Sequence, residues 1–181
     1  MPALDVAAGD ALQQRLQLQL VLADVLVTEA AALDSREFRN WLAFFTADLL
    51  YWVPIRSTRS ASDRDKEFTK YGEPAFYDET FRELEARIVK LESGWSWSED
   101  PPSRTRRFVS NVRVIETHSD RDVTVESNLL LYRSRLDADT DIWTARRVDR
   151  MRLEDDRWKI ARRSVFLDTT VLVASNLGVF F

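Results

Sequence analysis

The 181-residue chain contains no cysteine and a single histidine. Without thiols there is no disulfide, no thiolate nucleophile and no thiolate metal ligand. His118 alone cannot build a zinc site from several imidazoles or a two-histidine, one-carboxylate iron site, and iron–sulfur ligation fails for want of cysteine. Glycine is scarce as well. Its four copies stand singly at Gly9, Gly72, Gly94 and Gly178, so neither a P-loop nor a dinucleotide fingerprint can be written. No alternating Asp/Asn loop with a central glycine offers a calcium site. Apolar runs are short of a membrane span and broken by charges. Met1-Pro2-Ala3-Leu4-Asp5 lacks the basic start and apolar stretch of a signal peptide, so a cytoplasmic protein without membrane contact is expected.

What is present fits one domain over residues 1–181, with residues 1–11 as a flexible tail: 45% of the chain is apolar, enough for a real core. The 26 basic and 30 acidic residues leave a formal charge of −4, which argues against nucleic acid as the main partner. Lysine occurs only at Lys66, Lys70, Lys90 and Lys159; every other basic residue is arginine. Arginine suits two-pronged pairing with carboxylates in buried or interfacial settings, although a compositional bias accounts for the count equally well. Arg104, Arg106 and Arg107, Arg146, Arg147, Arg150 and Arg152, and Arg162 and Arg163 all fall in strand-like stretches. Neighbours on a strand face opposite ways, so ion pairs across strands or subunits are expected rather than one basic stripe.

The first half reads as helical. Leu12, Leu16, Leu20, Ala23, Val27 and Ala30, flanked by Leu22, Leu26 and Leu33, make a broad apolar face over 12–33. Asp34 and Glu37 have capping-box spacing ahead of a second helix carrying Phe38, Trp41, Leu42 and Phe45. Leu49 to Val53 reads as a buried strand ended by Pro54, and Ser57 to Glu73 as a loop. A third helix is expected from about Asp78, with Phe81, Leu84, Ile88 and Leu91 on one face and Gly94 as its stop. Beyond Pro102 the period changes to two. Strands are expected from Asn111, over Val123–Leu131, Ile142–Leu153 and Trp158–Val173, joined by turns at 118–121, 137–141 and 154–157. Helices followed by an antiparallel meander give α+β, a curved sheet wrapped on helices.

Two residues invite an enzymatic reading. His118 lies in the polar turn Glu116–Arg121, a context for an exposed histidine. Asp48 sits between Phe44-Phe45 and Leu49-Leu50, where apolar surroundings would raise its pKa toward acid–base work; the alternative is that it caps a turn or pairs with an arginine. Glu126, Tyr132 and Arg133 could complete a pocket, or form an ordinary sheet face. The stretch from Gly94 to Asn111 is Trp-rich, Pro-stiffened and charge-dense, a composition suited to protein recognition. Leu177 to Phe181 is too apolar to be left in water and should dock on the sheet or on a neighbouring subunit.

Trp97-Ser98-Glu99-Asp100-Pro101-Pro102-Ser103-Arg104-Thr105-Arg106, leading to Val109-Ser110-Asn111-Val112, resembles the small (beta) subunit of aromatic-ring-hydroxylating dioxygenases of the biphenyl, benzene, cumene and polycyclic-hydrocarbon type. Trp41-Leu42, Asp48, Tyr51-Trp52-Val53-Pro54, Asp78-Glu79 with Arg87, Tyr132-Arg133-Ser134-Arg135, Arg146-Arg147 with Asp149, Leu167-Asp168 and Asn176 to Phe181 also fit, from about Ala30 onward. The resemblance implies a cone-shaped α+β fold, a strongly bent antiparallel sheet packed on N-terminal helices as in nuclear transport factor 2 and ketosteroid isomerase. It implies a non-catalytic assembly role in a hexamer of three large and three small subunits, with the small subunits associating as a trimer. The Rieske [2Fe-2S] cluster and mononuclear Fe(II) would lie in the large subunit, fed from NAD(P)H through a reductase and ferredoxin. No catalytic, cofactor or metal residue is then expected in this chain. Trp97, Glu99, Asp100, Pro101, Pro102, Arg104, Arg106, Arg107, Phe180 and Phe181 become candidates for subunit contacts. The competing expectation is an isomerase or dehydratase of the same fold using Asp48; a free-standing ligand-binding module is a third.

Overall fold

A computed structural model describes residues 6–93, 102–135, 139–170 and 179–181. Helix α1 runs over Val6–Asp34 and helix α2 over Phe38–Leu42; strand β1, Phe45–Pro54, follows. After a short 3-10 turn at Ala61–Lys66 come strand β2, Ala75–Thr80, and helix α3, Phe81–Glu92. Strands β3 (Arg104–Ser119), β4 (Asp122–Arg135), β5 (Asp139–Glu154) and β6 (Arg157–Leu167) form the meander. Among the described residues there is one six-stranded sheet in the order β2-β1-β6-β5-β4-β3, antiparallel throughout except where β1 runs parallel to β6.

The period-two reading of the second half holds because one face of each strand is buried. Val123, Val125, Leu129 and Leu131 on β4, and Trp143, Ala145 and Met151 on β5, point into the core, while Thr124, Asn128, Leu130, Thr144, Arg146 and Arg150 alternate to the other face. The β5–β6 connection is a two-residue hairpin with Asp155 and Asp156 both at positive φ (49° and 57°), the primed-turn geometry that matches strand twist. Asn111, at φ 53°, sits in a bulge of β3 where the register against β4 shifts between Ser110 and Arg113. Asparagine tolerates that conformation, and the bulge helps the sheet bend.

Helix α2 stops at Leu42, so Phe45, expected on it, opens β1, and the helical half departs from expectation in three further places. First, α1 begins at Val6, so the expected flexible tail is partly helix, as Ala7, Ala8 and Ala11 favour. Its buried face is Leu22, Leu26, Glu29, Ala30 and Leu33; Leu12, Leu16, Leu20 and Val27, counted on the apolar face, are exposed. Length and hydropathy would let Leu12–Asp34 cross a membrane, but here it lies along β3, with Gln19 Nε2 donating to the Val112 carbonyl at 3.0 Å.

Second, Asp34 does not cap α2. Its carboxylate is taken by Arg107 and Thr105 of β3. The α1–α2 corner closes instead with Arg36 at φ 59°, where Glu37 N–H reaches the Ala32 carbonyl at 2.8 Å. That is a helix-ending bond pattern that glycine usually provides. The Arg36 side chain donates to the Ser103 carbonyl at 2.8 Å, tying the corner to the start of β3.

Third, Asp78 and Glu79 belong to β2, paired with Trp52 and Tyr51, and α3 starts two residues later. Thr80 is its cap: its N–H and hydroxyl both donate to the Glu83 carboxylate, at 2.6 and 2.7 Å. Leu84 and Ile88, one turn apart, bury fully against the sheet; each contributes roughly 1.5–3 kcal/mol by burial.

Candidate functional site: the filled cone and the arginine edge

In the concave side of the sheet, three buried arginines meet three carboxylates. Glu29 of α1 projects into the core, where its carboxylate accepts from Trp41 Nε1 at 2.5 Å and Arg163 Nη1 at 2.8 Å, and from Arg147 Nη1 at 3.3 Å. Arg163 and Asp149 are register partners across β6 and β5 and form a two-pronged pair at 2.9 and 3.1 Å. Arg107 pairs with Asp34 at 2.5 Å. Glu29, Arg147 and Arg163 have no accessible surface. Parity explains the arrangement. Arg107, Arg147, Asp149 and Arg163 occupy inward positions of their strands, whereas Arg106, Arg146 and Arg162 face out.

Electrostatics follows from this geometry. Burial alone would raise the Glu29 carboxyl, but attraction to Arg163 and Arg147 and hydrogen bonds from Arg163 and Trp41 override it, holding the pKa at about 2. Desolvation depresses Arg147 and Arg107, whereas for Arg163 the pull of Asp149 and Glu29 outweighs desolvation and the pKa rises. Burial raises the Tyr51 phenol, so it stays protonated. Arginine stays charged throughout.

Residues 179–181 fill the remaining space. Tyr51 Oη donates to the Phe181 main-chain oxygen at 2.9 Å and accepts from the Phe181 N–H at 2.8 Å. Arg107 Nη2 donates to the Phe180 oxygen at 2.7 Å. The Phe180 ring lies 4.6 Å from Trp41, and the Phe181 ring meets Trp143 edge-on at 6.0 Å. The expected docking of this apolar segment therefore happens within the chain.

That corrects three subunit-contact candidates. Arg107, Phe180 and Phe181 are buried internally, because their strand parity and apolar surface turn them into the cone. Arg104 and Arg106, one residue off, are exposed, as is Pro102. Beside them on the outer face stand Phe108, Leu130, Tyr132 and Ile142, all exposed; Phe108 pairs with Leu130, and Tyr132 with both Arg106 and Ile142. Trp97, Glu99, Asp100 and Pro101 lie outside the described residues.

Asp48 is also corrected as a pocket residue. It lies within β1 on the face opposite Leu49 and Tyr51, its side chain two-thirds exposed (66%) and ion-paired with Arg152. The hydrogen bond from Arg152 lowers its pKa, the reverse of what acid–base work at neutral pH requires. Glu126 and Tyr132 face outward while Arg133 faces inward, so they share no pocket; Glu126 is held by Arg113 and Arg146. His118 lies at the end of β3 rather than in a turn, with Nε2 2.8 Å from Thr124 Oγ1. Among the described residues, no cluster of three His, Cys, Asp or Glu side chains could hold a metal.

Glu29, Asp34, Tyr51 and Arg163 escaped sequence reasoning as a group. The available signal was the inward parity shared by Arg147, Asp149 and Arg163; Glu29 itself looks like a solvent residue on a helix.

The same bent-sheet cone of nuclear transport factor 2 type recurs in solved structures. A chain of naphthalene 1,2-dioxygenase with indole bound in the active site superposes with a TM-score of 0.80 and 29% identity, covering 91% of this chain and 86% of that one. The beta subunit of benzoate 1,2-dioxygenase from Burkholderia mallei aligns at 0.64 and 21% identity, over 81% and 88%. ActVI-ORFA from Streptomyces coelicolor aligns at 0.58 and 16%, over 84% and 98%. The last two likenesses speak to fold alone. The family described as "Ring hydroxylating beta subunit" matches residues 28–174, most of the chain, and the protein belongs to that family.

Proposed function

We propose that this chain is the non-catalytic assembly subunit of a dioxygenase that cis-dihydroxylates aromatic hydrocarbons with O₂. The observation that carries this reading is the filled cone. The space that a catalytic relative would keep for substrate is occupied by Trp41, Tyr51, Phe180, Phe181 and the Glu29–Arg163 cluster. The chemistry then belongs to the large subunit, which would hold the Rieske [2Fe-2S] cluster and mononuclear Fe(II). With no cysteine and one histidine, this chain has no ligand set for either. Electrons would come from NAD(P)H through a reductase and ferredoxin, in the cytoplasm.

Assembly in this reading is a hexamer, three large subunits on a trimer of this chain. The outer-face patch of Phe108, Leu130, Tyr132 and Ile142 beside Arg104 and Arg106 supports it: aromatic anchors with exposed guanidinium groups are the composition of binding hot spots. Light scattering on the chain co-produced with its large subunit tests the stoichiometry. A particle with three copies of each is expected, and separate elution of the two chains would overturn the proposal.

A further inference from the structure

Residues 179–181 are held the way a receptor holds a ligand. Each of three successive main-chain oxygens meets an arginine: Val179 with Arg87 at 3.5 Å, Phe180 with Arg107 at 2.7 Å, and Phe181 with Arg163 at 3.3 Å. Each ring has its own aromatic slot. Phe180 sits between Trp41 at 4.6 Å and the Arg87 guanidinium at 4.3 Å, and Phe181 lies edge-on to Trp143. Burying an apolar segment requires none of these charged donors, and desolvating them is costly. Apolar walls with a few convergent polar groups are the composition of a small-molecule pocket.

We infer that the cone carries a latent site for a small aromatic molecule bearing an acceptor oxygen (an aryl ketone, amide, aromatic acid or aromatic peptide), whose resident occupant is Phe180-Phe181. Hydrogen bonding decides the class of ligand. Arg87, Arg107 and Arg163 aim donors at three main-chain oxygens, and donors remain in surplus: Arg107 Nε and Arg147 Nη2 are buried without a hydrogen-bond partner. A half-open pocket of about 200 Å³, lined by Leu33, Phe38, Leu91, Thr105 and Phe180, adjoins the Phe180 ring and gives room for approach. This inference concerns binding and stands apart from the assembly role.

The test uses the subunit complex carrying either the intact chain or one lacking Val179 to Phe181, titrated calorimetrically with N-acetyl-Phe-Phe-amide, phenylacetone and propylbenzene, which has no acceptor oxygen. The complex with the shortened chain should bind one more equivalent per copy of the dipeptide amide and of the ketone than the complex with the intact chain, and propylbenzene should occupy that added site at least about tenfold more weakly. Adding Tyr51→Phe to the deletion should weaken the dipeptide roughly tenfold, through loss of one buried hydrogen bond. If the shortened chain does not fold, Phe181→Ala decides. Its cavity beside Trp143 should take benzene, raising the melting temperature of that variant and not of the intact protein. A folded deletion that gains no site over the intact complex, equal affinity of that site for propylbenzene, or no benzene effect on Phe181→Ala would each overturn the inference.

Discussion

Replacing Glu29 by glutamine should be among the most damaging isosteric changes in this protein. Glutamine keeps an acceptor for Trp41 Nε1 and the shape of the side chain; only the charge is lost. Arg163 retains Asp149, but Arg147 loses its salt-bridge partner and keeps only a long 3.4 Å contact to Ser127 Oγ. Removing one partner from a buried pair costs about 3–5 kcal/mol, since the remaining charge stays buried uncompensated. A domain of ordinary stability has roughly 5–15 kcal/mol in total. The melting temperature should therefore fall by roughly 6–20 °C at this chain length. The pH profile gives an independent check. The folded carboxyl titrates at about 2, below its ordinary 4.5, so its contribution is complete above pH 4.5 and disappears as pH falls toward 2. At 1.36 kcal/mol per pH unit that contribution is about 3 kcal/mol. Urea unfolding followed by circular dichroism at several pH values would measure both: Glu29→Gln should be less stable at pH 7 and should have lost this part of the acid dependence. A loss below about 1 kcal/mol at pH 7, or an acid limb identical to the parent's, would refute the reasoning. Adding Arg147→Met to Glu29→Gln should recover most of the loss, because the unpaired charge goes while the amide oxygen still accepts from Trp41 Nε1.

Charge reversal at both Arg104 and Arg106 should weaken association with partner subunits while leaving the melting temperature of the isolated chain nearly unchanged, because both side chains are exposed; an intact complex by light scattering would count against an interface there. Asp48→Asn should shift stability by no more than about 0.5 kcal/mol and leave ring hydroxylation by the complex unaltered, because its pair with Arg152 is solvent-exposed; a large loss of product formation would reopen an active-site role. Thr80→Ala should cost about 1 kcal/mol by removing the cap of α3, read as a melting point lower by roughly 2–4 °C.

The sheet was legible in the sequence because strands with one buried face repeat every two residues, and because Pro54 and the Asp155-Asp156 turn punctuate them. The same parity separated Arg146 from Arg147 and Arg162 from Arg163. Helix α1 was less legible. Leucines and valines surround it, so apolar spacing alone could not distinguish Leu22 and Leu26 from Leu16 and Leu20. The contact that chooses the face is Glu29 with Arg147 and Arg163, more than a hundred residues away in sequence. Asp34 and Glu37 imitate a capping box, and nothing local shows that Arg107 takes the Asp34 carboxylate. Arg36 takes a backbone conformation usually marked by glycine, because its side chain is needed at Ser103. For the site, composition argued only against a thiolate or multi-histidine ligand set in this chain, whereas the burial of Phe180 and Phe181 depends on a cone that forms only once the sheet has bent.

Product formation by separated and recombined subunits tests the central claim most directly. The purified chain alone, its large subunit alone, and the two together would each receive O₂, an aromatic hydrocarbon and the electron-transfer proteins, with diol measured by chromatography. The assembly role predicts no diol and no isomerised product from this chain by itself, and sustained turnover only when the large subunit is present. Turnover by this chain alone would contradict it.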